Sequence, residues 1–276
     1  MTLERLRSVL DQADRHASPF LVLGDPTPEL SVELALAAVR AGASMLELGM
    51  PFSDPCADGP AIQAACGRAF RAGVSTSRAI EILGQIHAQS REVPKNLLVY
   101  GNLVHARGYG SFCGEVADAG ASSLLSPDIP LEECGPLRAA CAEAGLGHVQ
   151  LVGPGTPARR LAEIDAVADA FLYLAAHQGI TGGQAAEDRG RRELVERTVR
   201  AVSNPICLGF GLSQPHQLEQ AFAAGARICV IGSHLARVIE QTYEVERRPG
   251  SEVVEQFVAK FGPLSQTARP GTDSED

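Results

Sequence analysis

The sequence repeats one short pattern three times: a glycine follows a helix-like segment, and an apolar run begins within a few positions. The repeats are AGASMLEL from Ala41, AGASSLLSP from Ala119 and AGARICVIG from Ala224. A glycine at this point is typical of a helix end, and the apolar run after it predicts a buried strand. A recurring unit of helix and buried strand predicts a parallel sheet.

Eight short apolar runs are spaced along the chain, with helix-like periodicity between them. They lie at residues 20–23, 45–48, 97–100, 123–126, 148–152, 171–174, 206–209 and 228–231. Eight such units in 276 residues favour a closed (β/α)8 TIM barrel over a doubly wound open sheet. We therefore expect one barrel domain over residues 1–264 and a disordered polar tail over residues 265–276.

Charge and composition exclude several classes of protein. The formal net charge of -9 argues against a nucleic-acid or anionic-membrane surface, although a phosphorylated substrate held by backbone groups remains compatible with it. The polar N-terminus does not resemble a signal peptide, and no apolar run approaches membrane-spanning length, so we expect a cytoplasmic protein. The seven scattered cysteines lack metal-ligand spacing, which favours reduced cysteines that pack in the core.

One stretch, from Met45 to Gln63, suits acid–base chemistry. Glu47 stands inside an apolar run, where burial should raise the pKa of its carboxyl group toward the range useful for proton transfer. Asp54 and Asp58 follow in a loop rich in proline and glycine. Taken alone, the pattern also fits a buried glutamate paired with a hydroxyl or amide, and a turn-forming Asp-Gly. In a barrel, however, the carboxyl ends of the strands carry the chemistry.

Small residues close the seventh and eighth predicted strands, at Gly209-Phe210-Gly211 and Gly232-Ser233. Barrels commonly bind phosphate at these two strand ends, through loop amides and the N-terminus of a short helix. Such a site needs no lysine or arginine. Small residues at strand ends also serve tight packing, so it is their joint position that indicates a phosphate site.

Seven segments occur in order from about Phe20 to about Gln241: PFLVLGDP, LELGMPFSDPCADGPAIQAACGRAF, YGNL, PDIPLEE, GITG, GFGLS and IGS. Together they resemble the tryptophan synthase alpha subunit family, and the long ELGxPFSDPxADGPxIQ motif is the most specific part. The resemblance implies a (β/α)8 barrel that cleaves indole-3-glycerol phosphate to indole and glyceraldehyde 3-phosphate. It implies no metal and no organic cofactor. It also implies a pyridoxal-phosphate beta subunit as partner, in an alpha2beta2 heterotetramer.

By the same resemblance, Glu47 is the general acid–base and Asp58 accepts the indole N–H hydrogen bond, with Tyr173 supporting the glutamate or the substrate. The resemblance assigns the remaining site residues in four groups. They are the phosphate ligands Gly182, Gly211, Gly232 and Ser233; the indole pocket of Phe20, Leu98, Leu125 and Phe210; the closing-loop residue Thr181; and the partner-facing Asp54, Pro55, Asn102 and Pro130.

The chain departs from the family pattern at several positions near these motifs, including Val22, His177, Gln178 and His234. None of the departures removes a carboxylate or a phosphate-site glycine. Three functions therefore stay open at this point. They are the alpha subunit of a tryptophan synthase, a stand-alone lyase that releases free indole, and a weakly catalytic allosteric partner of a beta subunit.

Overall fold

The computed structural model describes residues 2–175, 184–209 and 211–268. Within them, eight parallel strands form one closed barrel in which each strand pairs with the next and β8 pairs with β1. This confirms the predicted fold class. The strands are β1 His16–Val22, β2 Leu46–Gly49, β3 Lys95–Leu98, β4 Ser123–Leu125, β5 Gly147–Val152, β6 Leu172–Ala175, β7 Ile206–Gly209 and β8 Ile228–Ile231.

Twelve α-helices surround the barrel in the described part of the chain. They are α1 Thr2–Gln12, α2 Pro28–Arg40, α3 Pro60–Arg71, α4 Thr76–Gln89, α5 Gly101–Arg107, α6 Tyr109–Asp118, α7 Gly135–Ala144, α8 Ala158–Asp165, α9 Gln184–Val199, α10 Pro215–Ala223, α11 Ser233–Glu240 and α12 Gly250–Gln266. A 3-10 turn at Leu131–Glu133 and a π-helical turn at Gln241–Val245 complete the pattern. None of these helices is long and apolar enough to span a membrane.

The glycines of the repeated pattern end helices, as predicted. Gly42, Gly120 and Gly225 lie just beyond α2, α6 and α10, with φ of 104°, 97° and 104°. A side chain rarely adopts such a φ, and glycine does so without a steric penalty. Each glycine therefore lets the chain turn from the outer helical layer back into the barrel, where β2, β4 and β8 follow.

Two strands begin at least two residues earlier than the apolar runs indicate. The first strand begins at His16, whose buried ring lies 3.1 Å from Ser44 Oγ, and the third begins at Lys95, which is also buried. Polar residues in these segments interrupt the apolar pattern, but the backbone still pairs with its neighbours. The third strand ends at Leu98, earlier than predicted, because Tyr100 already caps α5.

The last helix extends beyond the predicted end of the barrel domain. It runs through Gln266, and Ser265 is buried with its hydroxyl donating to the Ala41 carbonyl over 2.6 Å. Ser265 and Gln266 therefore belong to the folded domain and not to the polar tail assigned from the sequence. Residues 269–276 lie outside the described residues.

Candidate active site at the carboxyl end of the barrel

Glu47 faces the interior of the barrel on β2 and is only 2% exposed. The Tyr173 hydroxyl on β6 donates a hydrogen bond to its carboxyl group. Burial raises the pKa of Glu47 to about 8, the charge of Asp58 adds to the rise, and the tyrosine offsets part of it. At neutral pH the site therefore holds a carboxylic acid that can give up its proton.

Tyr173 reaches Glu47 because the neighbouring strand presents a glycine. Gly209 on β7 has no side chain, and a Cβ there would lie 2.2 Å from the Tyr173 hydroxyl oxygen. The ring is otherwise enclosed, with 3% of the residue exposed. Gly209 is thus required by close approach, and the sequence analysis gave it only a place in the GFG pattern.

Asp58 lies in the loop before α3, held by a side chain to which the sequence analysis assigned no role. The Tyr100 hydroxyl donates to Asp58 Oδ2 over 2.8 Å, and the Ala57 backbone N–H donates to that hydroxyl over 3.0 Å. The Tyr100 ring stacks on Phe52, with 4.9 Å between ring centroids. Partial burial raises the pKa of Asp58, and the Tyr100 hydrogen bond opposes the rise. The position of Tyr100 at the end of the third predicted strand was the signal that could have indicated this role.

A buried ion pair ties α3, which follows the Asp58 loop, to the end of β1. Arg68 donates to both carboxylate oxygens of Asp25, over 2.6 Å and 3.0 Å, and each side chain is 2% exposed. A bidentate pair of this kind fixes orientation as well as distance. The LGDP segment thus contributes an anchor for the catalytic loop, a role that the sequence analysis did not predict.

An apolar cavity is lined by Asp58 and by Tyr173, the hydrogen-bond partner of Glu47. Of the predicted indole-pocket residues, Phe20 and Leu98 line it, while Leu125 is buried beside Leu98 on the adjacent strand. Phe210 lies outside the described residues. The cavity is also lined by two residues that the sequence analysis did not name, Ile62 and Val230.

A larger cleft of about 630 Å³ adjoins the apolar cavity, and Asp58 and Ser233 line both. Ser233 begins α11, Gly232 precedes it, and Gly211 lies across the cleft after β7. Free backbone N–H groups at the first turn of a helix favour an anion. Three of the four predicted phosphate ligands therefore lie together, and the fourth, Gly182, is outside the described residues.

Two basic side chains also line this cleft, His234 and Arg237. His234 is half-buried, and burial together with the charges of Arg237 and Lys260 lowers its pKa. The positive charges around His234 make this region locally cationic on an acidic protein. The sequence predicts a phosphate site that needs no lysine or arginine, and the observed cleft is more basic than that.

The other predicted residues lie at the rim or beyond the described chain. Asp54, Asn102 and Pro130 are exposed and Pro55 is half-buried, so all four are available at the surface. Thr181, His177 and Gln178 lie outside the described residues. Cys56 is exposed, whereas the other six cysteines are buried, and all seven are free thiols. The described residues contain no cluster of three or more side chains that could hold a metal ion.

A closed eight-stranded barrel with a buried carboxylic acid, hydrogen-bonded to a tyrosine that shares a cavity with a second carboxylate, defines a (β/α)8-barrel enzyme of the acid–base type. The family model for the tryptophan synthase alpha chain matches residues 8–267. The chain therefore belongs to the tryptophan synthase alpha chain family.

Individual relatives agree with this assignment. The tryptophan synthase alpha chain of Aeromonas hydrophila is 38% identical over 241 residues, which cover 87% of this chain and 90% of that protein. The alpha chain of Corynebacterium aurimucosum is 37% identical over 254 residues, with 91% and 92% covered.

Solved structures show the same fold. Tryptophan synthase subunit alpha from Legionella pneumophila superposes with a TM-score of 0.85 at 28% identity, covering 96% of this chain and 98% of that one. The tryptophan synthase complex from Pyrococcus furiosus contains a chain that superposes with a TM-score of 0.81 at 29% identity, with 91% and 98% covered.

Proposed function

We propose that this protein is the alpha subunit of a tryptophan synthase and that it cleaves indole-3-glycerol phosphate to indole and glyceraldehyde 3-phosphate. The observation that carries the proposal is the Glu47 carboxylic acid, buried in the barrel with its pKa raised to about 8 and hydrogen-bonded to Tyr173, which lines the same cavity as Asp58. Family membership supports the same activity.

The reaction needs a group that first gives a proton and then takes one. Protonated Glu47 gives its proton to C3 of the indole ring, which becomes an indoleninium cation. The Glu47 carboxylate then takes the proton of the glycerol hydroxyl, the bond from the ring to the side chain breaks, and its electrons neutralise the ring. Glu47 ends the cycle protonated, as it began. A pKa near the working pH suits both transfers.

Asp58 stabilises the cation between these two steps. An ionised carboxylate beside the ring nitrogen accepts the N–H hydrogen bond and offsets the positive charge of the indoleninium. The hydrogen bond from Tyr100 holds the carboxylate in place before the charge develops, so little reorganisation is needed at that moment.

The phosphate of the substrate lies in the adjoining cleft. Its ligands are the backbone N–H groups near Gly211, Gly232 and Ser233, with Gly182 completing the set when the loop that carries Thr181 closes. Closure of that loop would exclude water from the cation. The cleft reaches Asp58, so one substrate can place its ring near the carboxylates and its phosphate at α11.

The beta subunit is the proposed partner, in an alpha2beta2 assembly, and Asp54, Pro55, Asn102 and Pro130 are its proposed contacts. The surface positions of these residues and the existence of a tryptophan synthase complex among the structural relatives support this part. A cytoplasmic location is proposed with it, and cell fractionation would test that point.

Indole release from indole-3-glycerol phosphate by the purified chain, with and without a tryptophan synthase beta subunit, tests the proposal. Slow release that the beta subunit accelerates is expected. Rapid release without a partner would identify a stand-alone lyase, and stimulation of the beta reaction without cleavage would identify an allosteric partner. Glu47→Gln and Asp58→Asn should each lower the rate at least about 100-fold, and retained activity in both would rule out the mechanism.

A further inference from the structure

Three buried polar atoms inside the barrel have no protein hydrogen-bond partner among the described residues: Glu47 Oε1, Asn96 Nδ2 and Ser18 Oγ. Asn96 and Ser18 are each 1% exposed. Leaving a buried polar atom unpaired costs free energy, and buried polar groups in folded proteins are nearly always satisfied by protein or by internal water.

The strand register brings these three side chains to one region. Glu47 on β2 is the direct partner of Asn96 on β3, and strands in a sheet lie roughly 4.8 Å apart. Leu98 lines the cavity, so Asn96, two residues earlier on the strand, also faces inward. By the same argument Ser18 faces inward two residues before Phe20, which is the partner of Glu47 on β1.

A fourth side chain fixes the orientation of the amide. Ser123, the partner of Asn96 on β4, donates its hydroxyl hydrogen to Asn96 Oδ1 over 2.8 Å. With its oxygen engaged on the β4 side, Asn96 presents its NH2 group to the rest of the barrel interior. Its neighbour there is Glu47, whose Oε1 accepts no hydrogen bond from the described residues.

We propose that Asn96 is a positioning residue for Glu47, and that internal water held by Asn96 and Ser18 bridges the amide to Glu47 Oε1. Oε1 and Nδ2 are not within direct bonding distance of each other, since neither has a partner. A site with several polar groups around it is of the kind that holds buried water. The proposal rests on the proposed function only in treating Glu47 as the acid–base.

The bridge has two consequences for the reaction. It holds the second carboxyl oxygen while Tyr173 holds the first, so the carboxyl group faces the substrate in one orientation. It also supplies a hydrogen-bond donor, which favours the carboxylate formed after the first proton transfer. The other groups that act on Glu47 are Asp58 from the loop, Tyr173 from β6 and Cys207 from β7, and none of them changes in the test below.

Asn96→Leu removes the amide and keeps the branched side chain of four heavy atoms. We expect kcat to fall several-fold, and the alkaline limb of the rate profile to move up by roughly half to one pH unit, the equivalent of one hydrogen bond. Thermal stability should fall by a small amount, because the buried Ser123 hydroxyl loses its acceptor on Asn96. Ser18→Ala removes only a hydroxyl group and should shift the alkaline limb in the same direction by a smaller amount.

Ser265→Ala is the matched control, since it also deletes a buried polar group, but in α12. Its pH profile should match that of the parent chain. If Asn96→Leu and Ser18→Ala lost activity and stability together and left the profile unmoved, Asn96 would be merely structural and the proposal would be wrong.

A second readout does not depend on turnover. A high-resolution crystal structure should show ordered water within hydrogen-bond distance of both Asn96 Nδ2 and Glu47 Oε1, and Asn96→Leu should lose it. The absence of ordered water between Asn96 Nδ2 and Glu47 Oε1 would overturn this inference while leaving the lyase proposal intact. Conversely, indole release retained in Glu47→Gln would reject the lyase mechanism and leave the water site standing.

Discussion

The Tyr100 hydroxyl donates a hydrogen bond to Asp58 Oδ2 over 2.8 Å, and the same hydroxyl accepts the backbone N–H of Ala57 over 3.0 Å. A single side chain between β3 and α5 thus binds both the carboxylate of Asp58 and the backbone next to it. The residues are 42 positions apart in the sequence. The catalytic loop is therefore positioned by the neighbouring strand as well as by its own proline and glycine residues.

Tyr100→Phe should lower kcat/KM for indole release by about ten- to 100-fold, because a hydrogen bond to a charged group is worth about 1.5–3 kcal/mol. The ring remains, so the stacking on Phe52 and the fold should persist. Steady-state kinetics and a melting curve measure both effects. Tyr109→Phe, at the start of α6, removes a tyrosine hydroxyl elsewhere and should leave the kinetics unchanged. Equal losses in the two variants would exclude a specific role for Tyr100.

The rate should depend on pH with a bell shape. The active form has protonated Glu47 and ionised Asp58. Burial raises the pKa of Glu47 to about 8, so kcat/KM should fall as the pH rises through about 8. Burial also raises the pKa of Asp58, so the acid limb should lie above the ordinary aspartate range. A rate that kept rising past about pH 9 would mean that Glu47 starts the cycle ionised.

Glu47→Gln should change how stability depends on pH. The folded-state pKa of Glu47, about 8, lies above the ordinary glutamate pKa of 4.5, so its contribution to the free energy of unfolding is complete below about 4.5 and is lost as the pH rises through about 8. Glutamine does not titrate, so the variant does not lose stability in this way. Relative to the parent, its free energy of unfolding should increase by on the order of 2–4 kcal/mol between about pH 5 and about pH 8.5.

Urea unfolding of both proteins at the two pH values measures this gain. The comparison isolates Glu47, because every other titrating group is common to the parent and the variant. A difference in unfolding free energy that did not vary with pH would mean that Glu47 titrates normally in the folded protein.

Gly209→Ala should damage the site through Tyr173. The added Cβ would lie 2.2 Å from the hydroxyl oxygen of Tyr173, so the ring must shift away from Glu47. We expect a loss of about 1–3 kcal/mol in the free energy of unfolding and a fall in kcat. Gly84→Ala in α4 is the control, because nothing lies within 4 Å of its added Cβ, and it should be neutral or stabilising. Full activity in Gly209→Ala would show that Tyr173 needs no fixed position.

Local pattern was enough to predict the barrel. Short apolar runs, three of them following a glycine-terminated helix, indicate buried parallel strands, and eight such runs in one chain of this length favour closure. The same reasoning located Glu47, because a carboxylate inside an apolar run must be buried. It placed strand ends less well at His16 and Lys95, where polar residues interrupt the run but the backbone pairing continues.

The tertiary structure alone decided which side chains meet. Tyr100 and Asp58, Arg68 and Asp25, and Tyr173 and Gly209 are distant in sequence, and each pair is brought together by the packing of neighbouring strands and the segments that follow them. The sequence by itself determined the strands, the buried acid and the loop that carries the second carboxylate, because burial and backbone geometry act locally. The pairing of these groups, and with it the proton affinity of Glu47, depends on the surroundings that only the folded barrel supplies.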